Sequence, residues 1–167
     1  MDIREHKFVQ PDPYTCSPTA LAYLLYKTKD TDFDETLKNL IRGSYNQFDD
    51  IKENGISLDQ LLEIAKPLGI ECNTSDEKPD SIAYLTTVTK LPNQDFELND
   101  FIKRAVKESS LRIEKDYYVY PYGHTVSVFE DGKGKAIVFD ALFGKEMTIL
   151  LSELERCLER PISFLTL

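Results

Sequence analysis

Gln10-Pro11-Asp12-Pro13-Tyr14-Thr15-Cys16-Ser17-Pro18-Thr19-Ala20-Leu21 runs from extended backbone straight into a helix, with a cysteine at the junction. Each proline locks its own φ and biases the residue before it away from helix, so the lead-in stays extended or looped. Helix then begins at Cys16-Ser17-Pro18, because a proline in a first turn lacks only an N–H that has no partner there. Ala20, Leu21, Leu24 and Leu25 carry one apolar stripe on to about Lys29. The cysteine therefore stands at the positive end of a helix, where free N–H groups and the dipole favour a thiolate. Cys72, in an expected strand, and Cys157, inside an expected helix, lack that setting.

Outward from this junction the spacing predicts a second helix over 33–42, with Leu37, Leu40 and Ile41 inward and Gly43 as its stop. Ser57 followed three residues later by Gln60 predicts a capping box, opening a helix that Gly69 ends. A short strand is expected to start at Ile70-Glu71-Cys72 and another at 82–86, then a helix over 98–109 with Phe101, Ile102, Ala105 and Val106 inward. From about Asp116 the period changes to two. Val126 and Val128 alternate with Thr125 and Ser127, residues 131–134 make a turn, and Ala136-Ile137-Val138-Phe139 returns. Ser152 and Glu155 predict a second capping box with helix to about Arg160, and 162–167 closes as a strand. Helices first and an antiparallel sheet second make an α+β fold, read as one domain over 1–167, helical to about 70 and sheet from about 80.

Composition narrows the function classes. In 167 residues, 41% hydrophobic with nine Phe and nine Tyr, there is apolar surface for one core. A net charge of −9 repels phosphate backbones and argues against nucleic acid as a partner. No stretch approaches the roughly 18–20 apolar residues that span a bilayer. Residues 1–7 carry charges of both signs and are not patterned as a cleaved signal peptide. Three cysteines without a CxxC pair or a histidine cluster predict neither disulfides nor a zinc site, and nothing points to a metal or organic cofactor. The expected location is the cytoplasm, or export without a cleavable signal.

Three residues give Cys16 chemical company. Gln10, six positions earlier, can donate a carboxamide N–H to the oxyanion formed when a carbonyl is attacked, with a backbone N–H at or after Cys16 as second donor. His124, at the head of the long strand after Tyr122-Gly123, is the candidate base; His6, in the charged leader, is the weaker one. Asp140 lies 16 residues after His124, an even number, so the two share a face. A hairpin centred on Gly132, with a loop of three or five residues, sets 124 directly opposite 140. The carboxylate then orients the imidazole for the thiol. Tyr117, Tyr118, Tyr120 and Tyr122 precede His124; alternating aromatics ordinarily pack a core, and Tyr122 with Gly123 is the pair placed at a substrate groove.

Gln10, Cys16 opening a helix, and His124 followed by Asp140 resemble the papain-like cysteine peptidase clan over nearly the whole chain. The segment from Gly55 through Ile70 is similar to double-glycine leader peptidases. The separation of Cys16 from His124 and the helix before the histidine strand resemble phytochelatin synthases and their glutathione-hydrolysing relatives. The resemblance implies a papain-like fold, a helical part packed on an antiparallel sheet, and a Cys16-His124-Asp140 triad with Gln10. It implies thioester chemistry on a peptide, a protein or a small thiol-peptide. The chain departs from the pattern at Ser17, where glycine is usual, at Thr15, where leader peptidases carry Asp, and at Asp140-Ala141, where Asp-Pro is common. Two alternatives stand beside a peptidase: a glutamine deamidase of the bacterial effector kind, and a non-catalytic binding module built on the same shell.

Overall fold

The computed structural model of the chain describes residues 8–167, so His6 lies outside the described residues. The helices are α1 (Cys16–Lys29), α2 (Phe33–Gln47), α3 (Ile51–Asn54), α4 (Leu58–Ala65), α5 (Asp100–Lys107) and α6 (Leu151–Cys157). The strands are β1 (Asn73–Ser75), β2 (Ala83–Pro92), β3 (Arg112–Ile113), β4 (Tyr117–Glu130), β5 (Lys135–Asp140), β6 (Lys145–Leu150) and β7 (Phe164–Thr166). Among the described residues the strands form one antiparallel sheet in the order β1-β7-β2-β4-β5-β6, with β3 added against β4. The architecture is α+β, helix packed on antiparallel sheet.

The period-two pattern of β4 sorts its side chains between two cores. Val126 and Val128 face a cluster with Tyr84, Val88 and Val138 that α5 and α6 close through Ile102, Ala105, Leu154 and Cys157. Thr125 and Ser127 face α1, where the Ser127 hydroxyl donates to the Ala20 carbonyl at 2.8 Å. On that side α1, α2 and α4 pack over Leu85, Phe139 and Leu165. Every residue of α1 from Ser17 to Leu25 is buried, so the helix is surrounded rather than laid on a surface. Truncating fully buried Leu21 or Leu24 to alanine is expected to cost about 2–5 kcal/mol.

Several expectations are corrected. Helix α2 runs through Gly43 to Gln47, because a side chain at 43 would meet the Ile64 methyl at 3.1 Å; the glycine serves helix approach rather than termination. The capping box at Ser57 and Gln60 is present, and Gly69 adopts the left-handed conformation that ends the turn. The one at Ser152 is not: α6 follows directly on β6, and the Leu151 N–H is met by the Gly134 carbonyl at 2.9 Å. Strand pairing begins at Asn73, beyond the expected start at 70–72. Helix α5 starts at Asp100, capped by the Asn99 side chain, and leaves Val106 41% exposed. Strand β6, unexpected from the sequence, pairs with β5 across a turn in which Gly144 has φ 65.

The β4–β5 register is also shifted. Ser127 pairs with Phe139 and Glu130 with Ala136, so the hairpin centres on Lys133 rather than Gly132. The Asp131 carboxylate accepts from the Lys133 and Lys135 N–H groups, which fixes this five-residue loop. His124 and Asp140 are thus diagonal rather than directly opposite. A shift of one pair preserves parity, so both stay on the same face, within reach of long side chains.

Candidate active site

The site forms where β4 outruns β5 and the first turn of α1 meets the sheet. The His124 Nε2 lies 2.7 Å from Asp140 Oδ1, with both side chains buried. An ionised carboxylate only accepts, so Nε2 carries the hydrogen and Nδ1 is left free to face Cys16, whose thiol pKa the nearby imidazole lowers. Cys16 itself is half-buried. The structure therefore joins His124 to Asp140 by a hydrogen bond and brings Cys16 close enough to the imidazole for each to shift the other's pKa.

Burial pushes the Cys16 thiol up, but the His124 hydrogen bond and charge, the Thr125 N–H and the Ser17 hydroxyl outweigh it and hold the pKa below its ordinary value. Burial likewise opposes an imidazolium at His124. The Asp140 carboxylate and the Cys16 sulfur reverse that and push the pKa up to about 10. Asp140, fully buried, is held below the usual carboxylate range against the cost of burial by His124, Tyr120 and the Leu142 N–H. Both directions favour a thiolate–imidazolium pair backed by a carboxylate.

Gln10 is 2% exposed and is seated by its own backbone, which donates to the Ala141 carbonyl at 2.8 Å, one residue past Asp140. Its Nε2 donates to the Asp12 carbonyl at 2.8 Å, leaving the second amide hydrogen, while Oε1 is buried without a partner. Asp12 anchors this loop further, accepting from the Tyr14 N–H and the Tyr45 hydroxyl, each at 2.8 Å. A cavity of about 440 Å³ opens beside Gln10, lined by Val9, Pro11, Asn99, Asp100 and Phe101. Tyr122, outside that lining, is 79% exposed. Gly123 has φ 80, and a side chain there would meet the Glu159 carboxylate at 2.7 Å.

Sequence reasoning placed Tyr120 among the groove or core tyrosines and missed its part in the site. Its ring stacks on His124, with centroids 4.3 Å apart and planes 13° apart, and its hydroxyl donates to Asp140 Oδ2. Asp140 Oδ1 also accepts from the Leu142 N–H at 2.9 Å, so both carboxylate oxygens are partnered. Strand parity could not have found it, because residues four apart on a regular strand lie about 13 Å apart; the rings meet where β4 breaks register with β2 between Val119 and His124 and Gly123 has φ 80. Tyr118 packs in the core, and Tyr117 bonds Glu153 away from the triad. Among the described residues no cluster of three or more His, Cys, Asp or Glu side chains is arranged to hold a metal ion, and no helix is long and apolar enough to cross a membrane.

No protein-family model matches the chain, and no curated protein matches it. Among solved structures it is similar to a double glycine motif protease from an AMS/PCAT transporter, crystallised in complex with the leader peptide. The similarity is 14% identity over 93% of this chain and 86% of that one, with a TM-score of 0.46. At this identity residue roles do not pass from one sequence to the other.

Proposed function

We propose that the protein is a thiol-dependent amide hydrolase or acyltransferase in which Cys16 is the nucleophile, His124 the acid and base, and Asp140 the group that orients His124. The observation that carries the reading is the 2.7 Å hydrogen bond from His124 to Asp140 beside Cys16, with the thiol held down and the imidazole held up. The thiolate attacks an amide carbonyl carbon, forming the C–S bond and moving the carbonyl electron pair onto oxygen. Gln10, through its second amide hydrogen, and a backbone N–H at or after Cys16 stabilise that oxyanion. Collapse breaks the C–N bond as the imidazolium gives its proton to the leaving amine. Water or another acceptor, deprotonated by the now neutral His124, then attacks the thioester, and the thiolate departs.

The substrate class in this reading is a peptide or protein amide, or a small thiol-peptide, with Tyr122 and Gly123 as its expected contacts. The acceptor separates hydrolysis from deamidation and transpeptidation. Incubating the protein with a mixture of peptides, glutathione and a glutamine-containing protein tests it. An acyl adduct on Cys16, seen by mass spectrometry and lost in Cys16→Ala, is the expected result. No adduct from any class, or adducts spread over Cys72 and Cys157, would overturn the enzyme and favour a binding module.

A further inference from the structure

Past the Ser127–Phe139 pair, β4 continues without β5. The next pair on that face of the ladder would set Thr125 against Ala141. The Ala141 carbonyl is already engaged, by the Gln10 N–H at 2.8 Å. On the other side Thr125 pairs with Thr87, whose carbonyl is given to the Glu159 N–H at 2.9 Å. Thr87 therefore turns its polar backbone away from β4, and the N–H of Thr125 faces the side that β5 has vacated. There the Cys16 thiol lies near enough for the Thr125 N–H to lower its pKa.

The Thr125 side chain bonds the same helix turn. Its Oγ1 lies 2.7 Å from the Ser17 Oγ, and both residues are buried. Ser17 gives its single hydroxyl hydrogen elsewhere, to the Ile56 carbonyl at 2.6 Å or to the adjacent sulfur, so Thr125 is the donor between the two. One chain of hydroxyls thus joins β4, the first turn of α1 and the loop that precedes α4.

We propose that Ser17 and Thr125 are positioning residues for the Cys16 sulfur: their paired hydroxyls lock the start of α1 to β4 so that the Thr125 N–H stays aimed at the thiolate. The proposal rests on Cys16 being the nucleophile. It also gives the serine at position 17 a task that a glycine has no hydroxyl to perform.

The test is the pH dependence of Cys16 alkylation by iodoacetamide, followed by mass spectrometry, in wild type, Thr125→Val, Ser17→Ala, Thr125→Ser and the Ser17→Ala/Thr125→Val double variant. Thr125→Val and Ser17→Ala should each slow Cys16 at neutral pH by about tenfold, the scale of one hydrogen bond to a charged group, and move the acid limb to higher pH. Cys72 and Cys157 should keep their rates, a pattern that general loosening of the fold does not give. Thr125→Ser should react as wild type does. The double variant should be no slower than the slower single one, because either change breaks the same chain. A wild-type profile in both single variants, or losses that add in the double, overturns the proposal alone. A wild-type Cys16 no faster than Cys72 overturns it together with the nucleophile reading.

Discussion

Cys16 and Cys157 lie at opposite ends of their helices, and burial is the largest influence on each thiol. Cys157, the last residue of α6, is fully buried among apolar side chains. Burial and the nearby Glu153 charge push it up to about 11, with Lys90 opposing only in part. Cys16 is surrounded by donors: an imidazolium, a strand N–H, a hydroxyl and the free amides of a first helical turn. Burial thus does not decide whether a thiol is reactive. It amplifies what the neighbours do, because a low-dielectric setting strengthens every charge-assisted hydrogen bond within it.

The largest effects should fall on one side of this comparison. Cys16→Ala and His124→Ala are each expected to lower turnover by at least about 10⁴-fold, since the two act as a unit and losing either stops the chemistry. Steady-state kinetics on the substrate trapped by Cys16 would measure this. A Cys16→Ala variant with near-normal turnover would break the distinction between the two thiols.

The same pair fixes the pH profile. The Cys16 pKa is depressed, so the reactive thiolate persists below the ordinary thiol value of 9.0 and is lost as pH falls through the lowered value. The His124 pKa is raised to about 10, so the imidazolium, and the stability its pairing provides, are fully present below the ordinary histidine value of 6.5 and are lost as pH rises through about 10. Activity should therefore form a bell whose alkaline limb lies near 10. In Cys16→Ala the His124 titration, followed by NMR, should move down because the sulfur no longer supports the cation. An unmoved titration would mean that the two groups are not coupled.

Smaller losses should come from the groups that complete the site. Gln10→Ala should reduce kcat by about 10²–10³ with KM little changed, as expected for a donor used mainly in the transition state. Tyr120→Phe keeps the ring stacked on His124 but strips a donor from buried Asp140, an unsatisfied group costing about 1–3 kcal/mol. It should lower kcat by about tenfold and shift the pH profile, which the loss of packing alone would not do. Gly144→Ala should act on Gln10 from a distance. A side chain at 144 would meet the Val9 methyl at 2.7 Å and the Val9 nitrogen at 3.2 Å, in a backbone conformation of φ 65 that favours glycine. The segment holding Gln10 would have to move. Kinetics resembling a weaker Gln10→Ala are expected, and an unaltered kcat would show that the Val9–Gln10 seat tolerates displacement.

How much of this was legible depends on the range of the signal. Local patterns carried α1, the Ser57–Gln60 box and the alternation of β4, each set by neighbours a few residues apart. The nearness of His124 to Asp140 was legible because parity is robust: the hairpin is centred one residue away from Gly132, yet the two keep a common face. Direct opposition failed because Asp131 closes the loop around Lys133 with its own carboxylate. Strand β6 was missed because only Met147 and Ile149 mark its inner face across six residues. Ser17, Thr125 and the seat of Gln10 on Ala141 left no signal, since their contacts join segments more than 100 residues apart and use residue types common on any surface.

The smallest effect on chemistry belongs to Cys157, and it tests the comparison from the other side. Cys157→Ala removes a sulfur from the core between α6 and the sheet, where Val88, Leu154 and Phe164 belong to the same cluster. A loss of about 1–2 kcal/mol in denaturant midpoint stability is expected from the small cavity left behind. The kcat should stay within about twofold of wild type, because α6 presents its carbonyl end there and no donor in the site depends on it. Cys157→Ser should cost more stability than alanine despite being closer in size, since a hydroxyl in that apolar setting would lack a partner. A serine variant as stable as wild type would mean that this thiol occupies a more polar place than its raised pKa implies.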